Sequence, residues 1–122
     1  MNAPGATASL GEWLAWQERL HPRGIDLGLD RVRPVAQRLG LIPTSIPTLI
    51  VAGTNGKGSS ATLASLVLRE AGHATGLYTS PHLLRYNERI AIDGVEATDA
   101  ECVRAFVAIE AARGGVPLTY FE

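Results

Sequence analysis

Residues 53–59 read Gly-Thr-Asn-Gly-Lys-Gly-Ser. They stand between an apolar run, Thr48-Leu-Ile-Val-Ala52, and a stretch with helical apolar spacing. A segment with glycines at 53, 56 and 58 is a loop, because glycine favours conformations that neither helix nor strand uses. The run before it has two β-branched residues at its centre and reads as a buried strand. From Ser59 to Ala71, the residues Ala61, Leu63, Ala64, Leu66, Val67 and Leu68 make one broad apolar side of a helix, which Gly72 stops. Ala74 to Thr79 reads as a second strand. Strand, loop, helix, strand is a βαβ unit, so a parallel pair with a right-handed crossover is expected. The chain is therefore expected to be α/β.

The remaining segments frame that unit. Ser9 and Glu12 have capping-box spacing ahead of a helix that runs to about Leu20, and His21-Pro22-Arg23-Gly24 ends it. Asp30 is placed to cap a second helix to about Leu39, with Pro34 tolerable only near its first turn and Gly40 as its stop. Ser80 to Asn87 is a polar loop broken by Pro81. Arg89 to Asp93 alternates, turns at Asp93-Gly94 and resumes at Val95, the pattern of a small hairpin. Thr98 and Glu101 form a second capping box for a helix to about Ala112, which Gly114-Gly115 closes. Residues 1–8 are expected to be a disordered lead, and 9–122 one portion of a domain. A parallel sheet needs cover on both faces, and a single βαβ unit leaves it with few strands. The chain is thus expected to be truncated.

Composition narrows the class. A length of 122 residues fits one domain or part of one. A formal net charge of -1 gives no field to attract nucleic acid or a membrane surface. No apolar run approaches the ~20 residues of a membrane span, and the start lacks the basic-then-apolar order of a secretory signal. Cys102, alone, allows no internal disulfide and reads as a small buried hydrophobe. A cytoplasmic protein is expected.

Of the eleven cations ten are arginine, and the one lysine, Lys57, lies in the glycine loop. There the glycines let backbone N–H groups converge, the following helix adds the positive end of its dipole, Lys57 adds a full charge, and Ser59 a hydroxyl within reach of a magnesium ion. Together these make a cradle for nucleotide phosphates. The sequence departs from the usual phosphate loop, G-x-x-x-x-G-K-[ST], at two places: Val51 occupies the first glycine position and Gly58 follows the lysine. A glycine-rich turn with an exposed lysine is the bland alternative, and the strand–helix context favours phosphate.

Four ordered blocks then carry a resemblance. They are Ile25-Asp-Leu-Gly-Leu-Asp-Arg31, the loop itself, Tyr78-Thr-Ser-Pro-His-Leu83 followed by Arg85 to Arg89, and Leu118-Thr-Tyr-Phe-Glu122. The chain is similar to the N-terminal part of the folate-enzyme branch of the Mur ligase superfamily, the dihydrofolate synthase/folylpolyglutamate synthase family. The resemblance implies a Mur-ligase-like fold class: the N-terminal part of a P-loop ATPase domain, its mostly parallel sheet flanked by helices. The rest of that domain and a C-terminal domain would be absent. It implies ATP phosphates at Asn55, Gly56, Lys57, Gly58 and Ser59, with Lys57 the catalytic charge, and a magnesium ligand at Ser80. It implies pteroate contacts at Asp26, Leu27, Gly28 and Leu29 and at Thr119, Tyr120, Phe121 and Glu122. The implied reaction adds L-glutamate to dihydropteroate, or to folates, through an acyl phosphate made with ATP and Mg2+. The full-length enzyme is expected to be monomeric, and the chain alone inactive. On its residues alone Ser80 reads first as an N-cap or turn serine before Pro81, each pteroate segment as core packing with a charged cap, and His82 as structural or simply exposed. Two other functions stay open: another Mur-type amide ligase, and a P-loop nucleotide-binding module without ligase activity.

Overall fold

The computed structural model describes residues 2–20 and 28–122. Its elements in order are α1 (Leu10–Gln17), α2 (Val32–Arg38), α3 (Lys57–Glu70), β1 (Gly76–Tyr78), β2 (Ile90–Ile92), β3 (Val95–Glu96) and α4 (Asp99–Arg113). The chain divides into two units, one made of residues 1–47 with 99–122 and the other of residues 48–98.

The first unit holds the apolar core. Ser9 opens α1 through the expected capping box: the Glu12 backbone N–H donates to Ser9 Oγ, and Glu12 accepts from the Ser9 N–H. That start turns Leu10, Trp13 and Trp16 inward, where they are buried with Val35, Cys102, Val103, Phe106 and Leu118. Trp13 is only 1% exposed and packs edge-on to Trp16 at 5.6 Å and against Phe106 at 6.0 Å. In the lead, the Gly5 carbonyl accepts from the Trp13 indole at 3.2 Å. Helix α2 starts one residue later than expected, with Arg31 and not Asp30 at its cap and no side-chain cap bond, and Pro34 stands in its first turn. Arg38, at the end of α2, donates to the Ala112 and Arg113 carbonyls at 3.0 and 3.1 Å, supplying the cation that the end of α4 favours.

The second unit carries the loop, α3 and the sheet. The sheet is antiparallel in the order β1-β2-β3, with Gly76 opposite Ile92, Tyr78 opposite Ile90 and Ala91 opposite Glu96. The hairpin forms where the sequence places it. Asp93 and Gly94 both adopt positive φ, 49° and 80°, as a two-residue turn matching the strand twist requires. The Arg69 guanidinium lies so close over Gly94 that a Cβ there would meet its Nη1.

The α/β class holds, but the expected parallel pair does not form. Residues 48–52 join no ladder, and Leu49 and Ile50 are 70% and 84% exposed. An apolar run becomes a strand only where a neighbouring backbone pairs with it, and none among the described residues does. Helix α3 likewise buries none of its residues, and Leu63, Leu66, Val67 and Leu68 stay in solvent. Its helical pattern is real, but among the described residues only a strip through Ala61, Ala64 and Ser65 is half-buried. No described helix is long and apolar enough to cross a membrane.

Candidate phosphate and substrate site

Gly56 adopts φ 75° as the N-cap of α3, a left-handed conformation that side chains resist. The helix therefore begins at Lys57, two residues before the sequence reading put it. This places Lys57, Gly58 and Ser59 in the first turn, whose leading N–H groups have no intrahelical acceptor. No side chain caps this end and no acidic residue lies in the turn. Such an end attracts an anion. Lys57 Nζ folds back onto the loop, donating to the carbonyls of Gly53 at 2.6 Å and Thr54 at 3.4 Å. Asn55, Gly56, Lys57, Gly58 and Ser59 are all exposed, open to a ligand from solvent.

Ser80 belongs to the same unit. The Ser65 and Thr75 hydroxyls meet at 3.1 Å where the chain turns from α3 back into β1. Lys57 lies eight residues before Ser65, about 12 Å along the helix. Ser80 lies five residues after Thr75, about 16 Å along extended chain running back the same way. Topology thus carries the exposed Ser80 toward the end of α3 where the loop sits. Among the described residues no group of three or more His, Cys, Asp or Glu could hold a metal. The hard oxygens on offer are the hydroxyls of Ser59 and Ser80. That donor set fits magnesium, which keeps several waters and takes phosphate oxygens for its remaining ligands.

The segment after Ser80 is more ordered than a polar loop need be. The Glu88 carboxylate accepts from three consecutive backbone N–H groups, of Leu83 (2.7 Å), Leu84 (2.9 Å) and Arg85 (2.7 Å). Buried Arg89 donates from Nε to His82 Nδ1 at 2.7 Å and from Nη1 to the Tyr78 hydroxyl at 3.3 Å, and lies over the Tyr86 ring. His82 thus acts as an acceptor for Arg89, in line with its structural reading. Sequence reasoning quoted Glu88 and Arg89 without a role. The available signal was a carboxylate three residues after Arg85, the spacing at which a side chain reaches back to free backbone donors.

The N–H groups of Leu83 first, then of Arg85, hold the Glu88 carboxyl below the ordinary glutamate range, and that of Leu84 adds to them. A carboxyl whose folded-state value is depressed contributes stability that is fully present above its unfolded-state value of about 4.3 and is lost as pH falls through the lower folded-state value. Glu88→Gln is therefore expected to lower the melting temperature at neutral pH and to quicken proteolytic cutting at residues 83–85. The variant should also lose less stability than the parent between pH 5 and pH 3. Melting curves across that range check this, and parallel acid profiles for parent and variant would refute it.

The pteroate-type residues fall in the first unit. Asp26 and Leu27 lie outside the described residues; Gly28 and Leu29 are exposed just ahead of α2. At the other end Leu118 and Thr119 are buried, while Phe121 is 68% exposed with Tyr120 edge-on to it at 5.5 Å. The two segments are tied together by Arg31, whose Nε donates to Glu122 Oε2 at 3.2 Å. The phosphate loop and these segments thus belong to different units.

No family model matches the chain. The similarity to folate ligases is nonetheless continuous. The chain is 45% identical over 119 residues to dihydrofolate synthase/folylpolyglutamate synthase of Escherichia coli (strain K12), covering 98% of this chain and 28% of that protein. The Haemophilus influenzae protein of the same name is 43% identical, covering 96% and 26%. A solved structure of E. coli FolC in complex with DHPP and ADP matches with a TM-score of 0.93 at 44% identity, over 98% of this chain and 29% of that one. A bifunctional folylpolyglutamate synthase/dihydrofolate synthase with Mn, AMPPNP and L-glutamate bound gives 0.88 at 47% identity, over 98% and 29%. The chain spans little more than a quarter of the length of the relatives it matches.

Proposed function

We propose that this chain supplies the phosphate loop and part of the acceptor site of an ATP-dependent ligase. That ligase joins L-glutamate to dihydropteroate, and to folates. The observation that carries the reading is the uncapped first turn of α3, with Lys57 poised across the glycine loop beside it. The folate specificity comes from the continuous similarity to folate ligases, one of them solved with ADP and another with AMPPNP, Mn and L-glutamate.

In this reading ATP phosphorylates the pteroate carboxylate, the glutamate amine attacks the acyl phosphate, and phosphate leaves. The backbone donors of Gly56, Lys57 and Gly58, with Asn55, hold the phosphates. Lys57 exchanges its carbonyl partners for phosphate oxygens and offsets the charge that develops at the transferring group. Ser59 and Ser80 would hold magnesium, which when bound neutralises charge between the terminal phosphates. Asp26, Leu27, Gly28 and Leu29 and the turn from Thr119 through Tyr120 and Phe121 to Glu122 form the pteroate side of the site, with the exposed Phe121 ring as its contact surface. The partners are small molecules, without nucleic acid or membrane. The compartment is the cytoplasm, and the complete enzyme is a monomer. Residues 9–122 form the N-terminal portion of the ATP-binding domain behind a short lead.

The test is a chimera in which this chain replaces the matching stretch of the E. coli relative, assayed for ADP release with dihydropteroate, glutamate and magnesium. Release that requires all three supports the reading. A soluble chimera that hydrolyses ATP without regard to dihydropteroate would leave only a nucleotide-binding module.

Phe121 offers a narrower check. Its exposed ring can stack on a flat pterin, and loss of such stacking is worth on the order of 1 kcal/mol beyond the area buried. Phe121→Ala is expected to raise the dihydropteroate Kd about fivefold or more while the Kd for a fluorescent ADP analogue holds. Equal loss of both would make Phe121 a packing residue.

A further inference from the structure

Glu122 stands in a segment read above as a pteroate contact, yet its side chain is only 8% exposed. Its Oε2 accepts from the Thr119 N–H at 2.8 Å and from Arg31 Nε at 3.2 Å, and Arg31 Nη2 lies 3.1 Å from Oε1. The Glu122 N–H returns a bond to Thr119 Oγ1 at 3.3 Å, so the two residues close a small reciprocal turn. Oε1 makes no hydrogen bond and is shut off from solvent. An atom that water does not reach is not placed to meet a pterin edge either. Burial raises the Glu122 carboxyl, and the Thr119 N–H and the Arg31 guanidinium together outweigh it, so that the group is held below the ordinary range and charged. A charged carboxylate in this position binds a planar guanidinium well.

We infer that Arg31 and Glu122 form a clamp that positions the substrate face, joining the loop ahead of α2 to the 119–122 turn so that Phe121 and Gly28-Leu29 are presented together. The clamp deepens the pteroate reading and rests on it. Arg31 and Glu122 are positioning residues in this scheme, and neither touches the ligand. Three features support it. The pair bridges segments 91 residues apart. Its acceptors point inward, and the aromatic neighbour Phe121 points out. Glu122 is the sheltered member, its side chain 8% exposed, so losing the guanidinium leaves a buried carboxylate short of its counter-charge.

The experiment uses the chimera described above, with dihydropteroate and a fluorescent ADP analogue as probes. Arg31→Gln and Glu122→Gln are each expected to weaken dihydropteroate at least tenfold. The double variant should be no worse than either single, and ADP affinity should stay within twofold. Arg31→Lys, which keeps charge without the planar fork, should recover only part of the loss. Multiplying effects in the double variant, unchanged dihydropteroate binding, or a matching loss of ADP affinity would overturn the clamp. A separate readout stands apart from the ligand: the Arg31 Nε–H proton should exchange slowly in the parent and rapidly in Glu122→Gln. Rapid exchange in the parent refutes the clamp. A slow parent proton with no saturable dihydropteroate binding refutes the pteroate reading and leaves the ion pair standing.

Discussion

Replacing Lys57 with alanine in the chimera is expected to lower ATP-dependent glutamate addition by about three orders of magnitude, the scale seen when a single charge or donor is withdrawn from a phosphoryl or oxyanion transition state. The melting temperature should barely move. Lys57 is exposed, and its ammonium donates to the Gly53 and Thr54 carbonyls of its own loop. The helix start does not depend on it either, because Gly56 turns the chain into α3. ADP release with dihydropteroate and glutamate, set beside a thermal melt, separates the two effects. Turnover within a few-fold of the parent would remove Lys57 from the chemistry. A collapse in the melt would recast it as a structural residue.

The second large effect concerns the chain by itself. It is expected to show no glutamate addition and to self-associate as its concentration rises. Every buried apolar residue named above lies in the unit of residues 1–47 and 99–122, while in residues 48–98 the buried side chains are the polar Asn87 and Arg89. That second unit leaves Leu49, Ile50, Leu63, Val67, Tyr78, Ile92 and Val95 more than half exposed. Exposed apolar surface on this scale drives association, and unpaired strand edges add a template for it. Sedimentation at several concentrations, with a dye that brightens on apolar surface, measures this directly. A chain that stays monomeric and dark to the dye, or one with turnover near the chimera's, would defeat the expectation.

What the sequence made legible was local. Capping pairs, stop glycines and the Asp93-Gly94 turn each act over a few residues, and α1, α3, α4 and the hairpin follow them closely. The glycine loop and the helix that follows it were legible for the same reason, since the residues that form them are consecutive. Pairing was not. The run at 48–52 has the composition of a buried strand, but composition cannot say whether a partner backbone is present, and here no ladder forms. Asp30 looked like a cap, yet the helix opens from Arg31, whose guanidinium is engaged with Glu122 far along the chain. The Glu88 and Arg89 contacts were equally hidden. A carboxylate gathering three backbone N–H groups depends on a fold of the loop that no periodicity records.

The lysine drawn across its own loop has a practical consequence. Because every other side-chain cation of the chain is arginine, a reagent that acylates amines has one side chain to find here, and that one lies across the glycine loop. Coupling chemistry usually scatters over a protein surface; on this chain, the α-amino group apart, it meets a single side chain. The same chemistry warns against amine immobilisation, which would tether the molecule by the group whose freedom to leave the Gly53 carbonyl matters most.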